Sequence, residues 1–105
     1  MSIIKQAIEV LNEVNLKNIK VYDMRDKSPF YDFFIVATAG SERQSGAVLS
    51  HFKKTELKVR NIEESTSWQL VDLHSVIVNI FLEDTREYYN LDKLFFGLEV
   101  NIEEL

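Results

Sequence analysis

The chain has 105 residues, 46% of them apolar, with one proline, three glycines and no cysteine. That is the composition of a single folded domain with its own core; it excludes a low-complexity chain, a disulfide framework, a thiolate zinc site and a cysteine nucleophile. The 12 basic and 17 acidic residues leave a net charge of −5, which works against a sequence-independent grip on phosphate backbones and favours a basic partner.

Ile3, Ile4, Ala7, Ile8, Leu11 and Val14 recur at helical spacing behind Ser2, which predicts an amphipathic helix over residues 3–14 that stops at Asn15. The opening Met-Ser-Ile-Ile-Lys has no basic region leading into an apolar stretch, and no run is long enough to span a bilayer, so a cytoplasmic protein with no membrane partner is expected. Ile19 to Met24 predicts a first strand. Turn residues from Arg25 to Pro29 then lead to the apolar run Phe33 to Ala37, expected as a central strand covered on both faces. This run passes into a small-residue turn and a helix opening at Ser41, where Ser41 is expected to cap the first-turn amides and Gln44 to reach back to the Ser41 backbone. Ser45, Val48, Leu49 and Phe52 lie on one side of that helix, and a short strand is expected over residues 57–62. Lys53, Lys54, Lys58 and Arg60 read as a solvated helix end and loop.

A two-residue turn at His74-Ser75 sets the register of a hairpin: Leu73 opposes Val76, Asp72 Ile77, Val71 Val78, Leu70 Asn79, Gln69 Ile80 and Trp68 Phe81. One face, with Leu73, Val76, Val71, Val78 and Ile80, is aliphatic and reads as core. The other sets Trp68, Phe81, Leu70 and Ile77 among Asp72 and Asn79, the mixture found at protein interfaces. His74-Ser75 is poor chemistry for the positive backbone angles such a turn requires. Helical spacing returns from Glu83 to Phe96, followed by an acidic tail from Glu99 to Leu105.

The strand, Gly40-Ser41 turn and helix are similar to the opening of polymerase-type nucleotide transferases, which place two metal-binding carboxylates soon afterwards. Ser50-His51-Phe52-Lys53-Lys54 offers none. Ser41 as a nucleophile needs an adjacent base, whereas as a helix cap it needs nothing further. Asp23 and Asp32 read as turn residues rather than a metal pair, and His51 and His74 lack ligand spacing. No catalytic residue, metal or cofactor is expected, and the emphasis shifts from catalysis to binding.

From Ile19 to Phe95 the chain resembles the ribosomal silencing factor, or Iojap-like, family. The likeness rests on Ile19, Asp23, Lys27-Ser28 and Asp32 leading into Thr38, Ser41 and Arg43, then on Trp68-Gln-Leu-Val-Asp72-Leu with Val76-Ile-Val78, then on Arg86, Tyr89, Leu91, Lys93 and Leu94. Glu63-Glu64 stands where a Glu-Gly pair is common, His74-Ser75 where Gly-Asp is usual, Asn79 replaces a common His, Phe95 a common Trp, and Ala39-Gly40 alters the usual glycine placement. The resemblance implies one α/β (α+β) domain over residues 1–105, a mixed five-stranded sheet packed with helices, with nucleotidyltransferase-like topology and no catalytic site. It further implies a translational repressor that binds ribosomal protein number fourteen of the large subunit and blocks joining of the small one. Direct nucleic-acid binding beyond incidental rRNA contact is not expected, and the free protein is expected to be a homodimer. Alternatives are a small nucleotidyltransferase-like enzyme and a large-subunit assembly factor without silencing activity.

Partner contact is expected from Trp68, Leu70, Asp72, Ile77, Asn79 and Phe81 on the hairpin, and from Arg86, Tyr89, Leu94 and Phe95 on the last helix. By its residues alone Trp68 reads as core or as an interface anchor, and the resemblance favours the anchor. Asp72 reads equally as a partner contact or a turn cap, and Arg86 as a partner contact or an internal ion pair.

Overall fold

The computed structural model describes residues 2–105. In chain order it runs α1 (Ile3–Glu13), β1 (Lys17–Asp23), β2 (Phe33–Ala39), α2 (Glu42–Lys54), β3 (Asn61–Glu64), β4 (Trp68–Asp72), β5 (Val76–Leu82), α3 (Glu83–Tyr89), α4 (Leu91–Leu94), β6 (Glu99–Val100) and a 3-10 turn, Ile102–Glu104. One mixed sheet takes the order β3-β4-β5-β2-β1-β6, in which only β2 and β5 run parallel. The sheet therefore has six strands rather than the expected five. The extra one comes from the acidic tail: Val100 and Glu99 pair with Val21 and Tyr22, and Lys20 Nζ meets the Glu99 carboxylate at 3.2 Å.

The hairpin register is the one its alternation predicts, from Trp68 opposite Phe81 to Asp72 opposite Ile77, closed by Leu73 N–H donating to the Val76 carbonyl at 2.9 Å. Because side chains alternate along a strand, this register fixes both faces of the sheet. Val71, Leu73, Val76, Val78 and Ile80 are buried together with Val21, Ile35 and Ala37 beneath α1 and α2. Those helices contribute Ile4, Ala7, Ile8 and Leu11 from one and Val48, Leu49 and Phe52 from the other, the periodicity read from sequence. The second face carries Tyr22, Phe34, Val36 and Phe81, and the chain from α3 to Leu98 lies over part of it.

Local polar groups fix where the helices begin and end. Ser2 Oγ accepts from Lys5 N–H at 3.2 Å, and Ser41 Oγ from Gln44 N–H at 3.1 Å. Gln44 reaches back one residue further than expected: its Oε1 accepts from Gly40 N–H at 2.6 Å, while its Nε2 donates to the Val14 and Asn15 carbonyls at 2.7 and 3.1 Å. It thus satisfies the end of α1 and the start of α2 at once.

Two expected elements are redrawn. The strand expected over residues 57–62 lies at Asn61–Glu64, because its register is set by pairing with β4; Leu57 and Val59 pack on the core as irregular chain. The single helix expected from Glu83 to Phe96 is broken at Asn90, whose left-handed φ of 49° turns the chain and whose side chain accepts from Lys93 N–H at 3.3 Å to start α4. Among the described residues no helix is long and apolar enough to cross a membrane.

The hairpin turn is tight. His74 sits at φ 79°, with Ser75 N–H donating to the Leu73 carbonyl at 3.1 Å, a backbone conformation that strains any residue with a side chain. Replacing His74 by glycine is expected to stabilise the fold by about 1 kcal/mol, since relief of strain exceeds glycine's extra unfolded-state entropy. A thermal melt should show a rise of about 4–8 °C; a fall would mean that the Arg60 contact to His74 outweighs the strain.

Candidate docking face

The second face of the sheet is covered only in part. Over β1, β2 and β5 the α3–α4 segment lays Tyr89 against Trp68 and Phe81, and Phe95 against Tyr22 and Phe34, with ring centroids 4.9, 6.2, 5.6 and 5.3 Å apart. Toward the β3 edge, Leu70 and Trp68 border a shallow cleft of about 250 Å³ with Glu63, Glu64 and Ser65.

Trp68 sits at the boundary, neither sealed nor free. Its ring packs 4.8 Å from that of Phe81, its indole N–H donates to Asn79 Oδ1 at 3.0 Å, and the rest of it remains half-buried. Asn79 is fully buried and its amide points to the Ile35 carbonyl at 3.4 Å. An amide on an apolar sheet face is thereby satisfied, and it holds the indole at one angle. Tyr89 is 50% exposed and Leu94 70% exposed, so both stand open to a partner; Leu70 and Phe95 are half-buried.

Five of the ten expected contact residues are buried or engaged within the chain. Asn79, Phe81 and Ile77 lie on the expected face but are buried. Asp72 is engaged within the chain: one oxygen accepts from Arg60 Nε and Nη2 at 3.0 and 2.8 Å, the other from His74 N–H at 2.8 Å. It caps the turn, the local alternative. Arg86 also resolves to its internal reading, donating Nε and Nη2 to the two oxygens of Asp92 at 3.0 and 2.9 Å, and Nη1 to Thr38 Oγ1 at 2.8 Å and to the Asn18 carbonyl.

The sequence reading passed over several exposed aromatics, among them Tyr88, whose ring meets that of Tyr89 at 5.2 Å. Tyr88 and Phe96 are more than 80% exposed, and Phe30 nearly so, in the turn before β2. A signal was present in Pro29-Phe30-Tyr31, a turn carrying aromatics that no helix or strand pattern absorbs. Tyr22 and Asp92 were missed for want of any signal: they meet at 2.6 Å across the fold.

That contact shapes the electrostatics beneath α4. The Arg86 guanidinium holds the Asp92 carboxyl below its usual 3.8, against an opposing push from burial, and the Tyr22 phenol is pushed up from its usual 10.0, first by burial and then by Asp92. A depressed carboxyl stabilises the fold above its ordinary value and loses that contribution as pH falls below it; a raised phenol stabilises below 10 and loses its contribution as pH climbs beyond. Stability should therefore fall below about pH 4 and above about pH 10, and Asp92→Asn should flatten the acid limb in urea melts taken across pH. An acid limb unchanged in that variant would place the titrating group elsewhere.

The groups considered for catalysis have other partners. Ser41 Oγ serves as the α2 cap. Arg25 Nε and Nη2 bind both oxygens of Asp23, at 3.0 and 2.7 Å, and hold its carboxyl below the ordinary range. His51 Nδ1 lies 2.9 Å from the Ala47 carbonyl of its own helix.

A family profile described as "Ribosomal silencing factor during starvation" matches residues 2–104. The chain belongs to the ribosomal silencing factor family. Among its relatives, ribosomal silencing factor RsfS of Bacillus subtilis is 32% identical over 100 residues, covering 90% of this chain and 85% of that one. The chloroplastic protein Iojap of Arabidopsis thaliana is 34% identical over 103 residues, covering 93% of this chain and 43% of its own length. A crystal structure of a Chromobacterium violaceum protein superposes with a TM-score of 0.80 at 31% identity, covering 96% of this chain and 92% of that one. The mixed sheet with its helices is thus the fold shared by the silencing-factor family.

Proposed function

We propose that this chain represses translation in the cytoplasm by docking on the large ribosomal subunit at ribosomal protein number fourteen, where its bulk excludes the small subunit. The single observation that carries this reading is the family match, which runs through nearly the whole chain and brings a ribosome-associated silencing role. The mixed face around Trp68 supplies a surface suited to the task. It offers a half-buried indole, the exposed Tyr89 and Leu94, and a partly uncovered sheet, the arrangement of an aromatic anchor within a polar rim. A net charge of −5 suits a basic ribosomal protein and disfavours direct RNA binding beyond incidental contact. Free copies would cover the same face by pairing as a homodimer, so dimerisation and docking compete. Steric exclusion requires no turnover.

Co-sedimentation with purified large subunits at micromolar protein and moderate salt tests the docking, and light scattering on mixing with small subunits tests the exclusion. The protein should pellet with large subunits and suppress joining in proportion to occupancy. Protein left in the supernatant would end the docking reading. Pelleting without any effect on joining would instead favour an assembly factor.

A further inference from the structure

The layer that completes the docking face has little to hold it. α3 has seven residues and α4 four, neither contains a buried residue, and helices so short do not persist by themselves. Their position depends on side chains reaching the sheet, and Arg86 is the member that joins most elements. Projecting from α3, only 11% exposed, its guanidinium spans to Asp92 in α4, to Thr38 in β2 and to the Asn18 carbonyl in β1. Asn18 stands at a bulge, φ 51°, where the register between β1 and β2 slips, so its carbonyl is turned out of the ladder and offered to the guanidinium. The bidentate Arg86 to Asp92 fork closes the corner at Asn90, and Tyr22 O–H donates to the same carboxylate from the sheet below.

We propose that Arg86 is the positioning residue of the docking face: it latches the α3–α4 corner so that Tyr89, Leu94 and Phe95 stand in the docking arrangement before the partner arrives. The inference rests on the docking reading above, and Arg86 itself touches no partner. Tyr89 lies immediately before the corner, and Phe95 follows α4 onto Tyr22 and Phe34. An unlatched corner samples other positions, and only the docking-competent fraction associates productively. Association then slows by that fraction, while the complex, once formed, dissociates as before. Loss of a direct contact acts instead mainly on dissociation.

The test compares wild type, Arg86→Gln and the near-isosteric Asp92→Asn in three measurements: association and dissociation rates on immobilised large subunits, hydrogen exchange of the free protein, and urea melts. Both variants are expected to associate on the order of 10-fold more slowly with dissociation within about 2-fold of wild type. Amides of residues 83–95 should lose protection while those of β2 and β5 keep theirs. The double variant should be no slower than the worse single one, since both remove the same latch. Unchanged exchange over 83–95 in either folded variant overturns the proposal, as does a loss confined to dissociation, which would make Arg86 a contact. Should Arg86→Gln not fold, Asp92→Asn decides alone. Wild type failing to bind large subunits would sink the docking reading, and the exchange measurement would still judge the latch.

Discussion

Trp68→Ala should lower affinity for the large subunit by about 30- to 140-fold, the consequence of removing a hot-spot tryptophan contributing about 2–3 kcal/mol. Beside the indole, Leu70 is smaller and Phe81 is buried, and the ring of Tyr89 leans on the indole itself, 4.9 Å away. The variant also acts within the fold. Asn79 Oδ1 loses its donor in a fully buried position and Tyr89 loses the ring it leans on, together costing about 2 kcal/mol of stability. Trp68→Phe separates the two effects, keeping the ring stack but not the N–H. Its stability should fall by about 1 kcal/mol, with an affinity loss well short of that of alanine. Equilibrium binding corrected for the folded fraction, read from urea melts, checks both. Affinity within about 3-fold of wild type for Trp68→Ala, below the hot-spot threshold, would make the tryptophan an internal spar and move the interface elsewhere.

Phe52→Ala should have the largest effect on stability and almost none on docking. The ring is fully buried on the inner side of α2, within the cluster that joins both long helices to the sheet. Truncation leaves a cavity costing about 3–5 kcal/mol, which for a domain of this size corresponds to a melting point about 15–25 °C lower. Because α2 covers the opposite face, the folded fraction should bind large subunits as wild type does. A clear loss of affinity in the cold, where the variant is folded, would show that the two faces are coupled.

The contrast between these variants follows from a feature that could be read in advance. Val71, Val78 and Ile80 alternate with Leu70, Asn79 and Phe81, and a two-residue period leaves one register and one division of faces. The caps at Ser2 and Ser41 were legible for a similar reason, because the donors they satisfy lie three residues away. What resisted reading depends on partners distant in sequence or on geometry that leaves no pattern. Glu83 to Phe96 keeps helical spacing throughout, yet Arg86 and Asp92, six residues apart, meet only because the chain turns at Asn90; a straight helix would point them apart. The choice for Asp72 between turn cap and partner contact stayed open because Arg60 arrives from a segment whose course is set by pairing with β4. β6 is two residues held by main-chain pairing to β1, and such pairing is indifferent to side-chain type.

The parallel seam between β2 and β5 has a kinetic consequence. On one side of it β1 and β2 are joined by the nine-residue connection 24–32, and on the other β3, β4 and β5 form a meander, so each half is assembled from neighbours in sequence. Within the sheet, the pairing of Phe33 through Ala39 with Val76 through Leu82 alone links the halves, and it must close the long intervening chain. Loop closure of that kind comes at an entropic cost before its contacts return anything. Zippering of this seam is therefore expected to be the slow step of folding. During synthesis the two halves cannot pair until Leu82 has left the tunnel, and the β6 edge closes on β1 only after Val100 has followed.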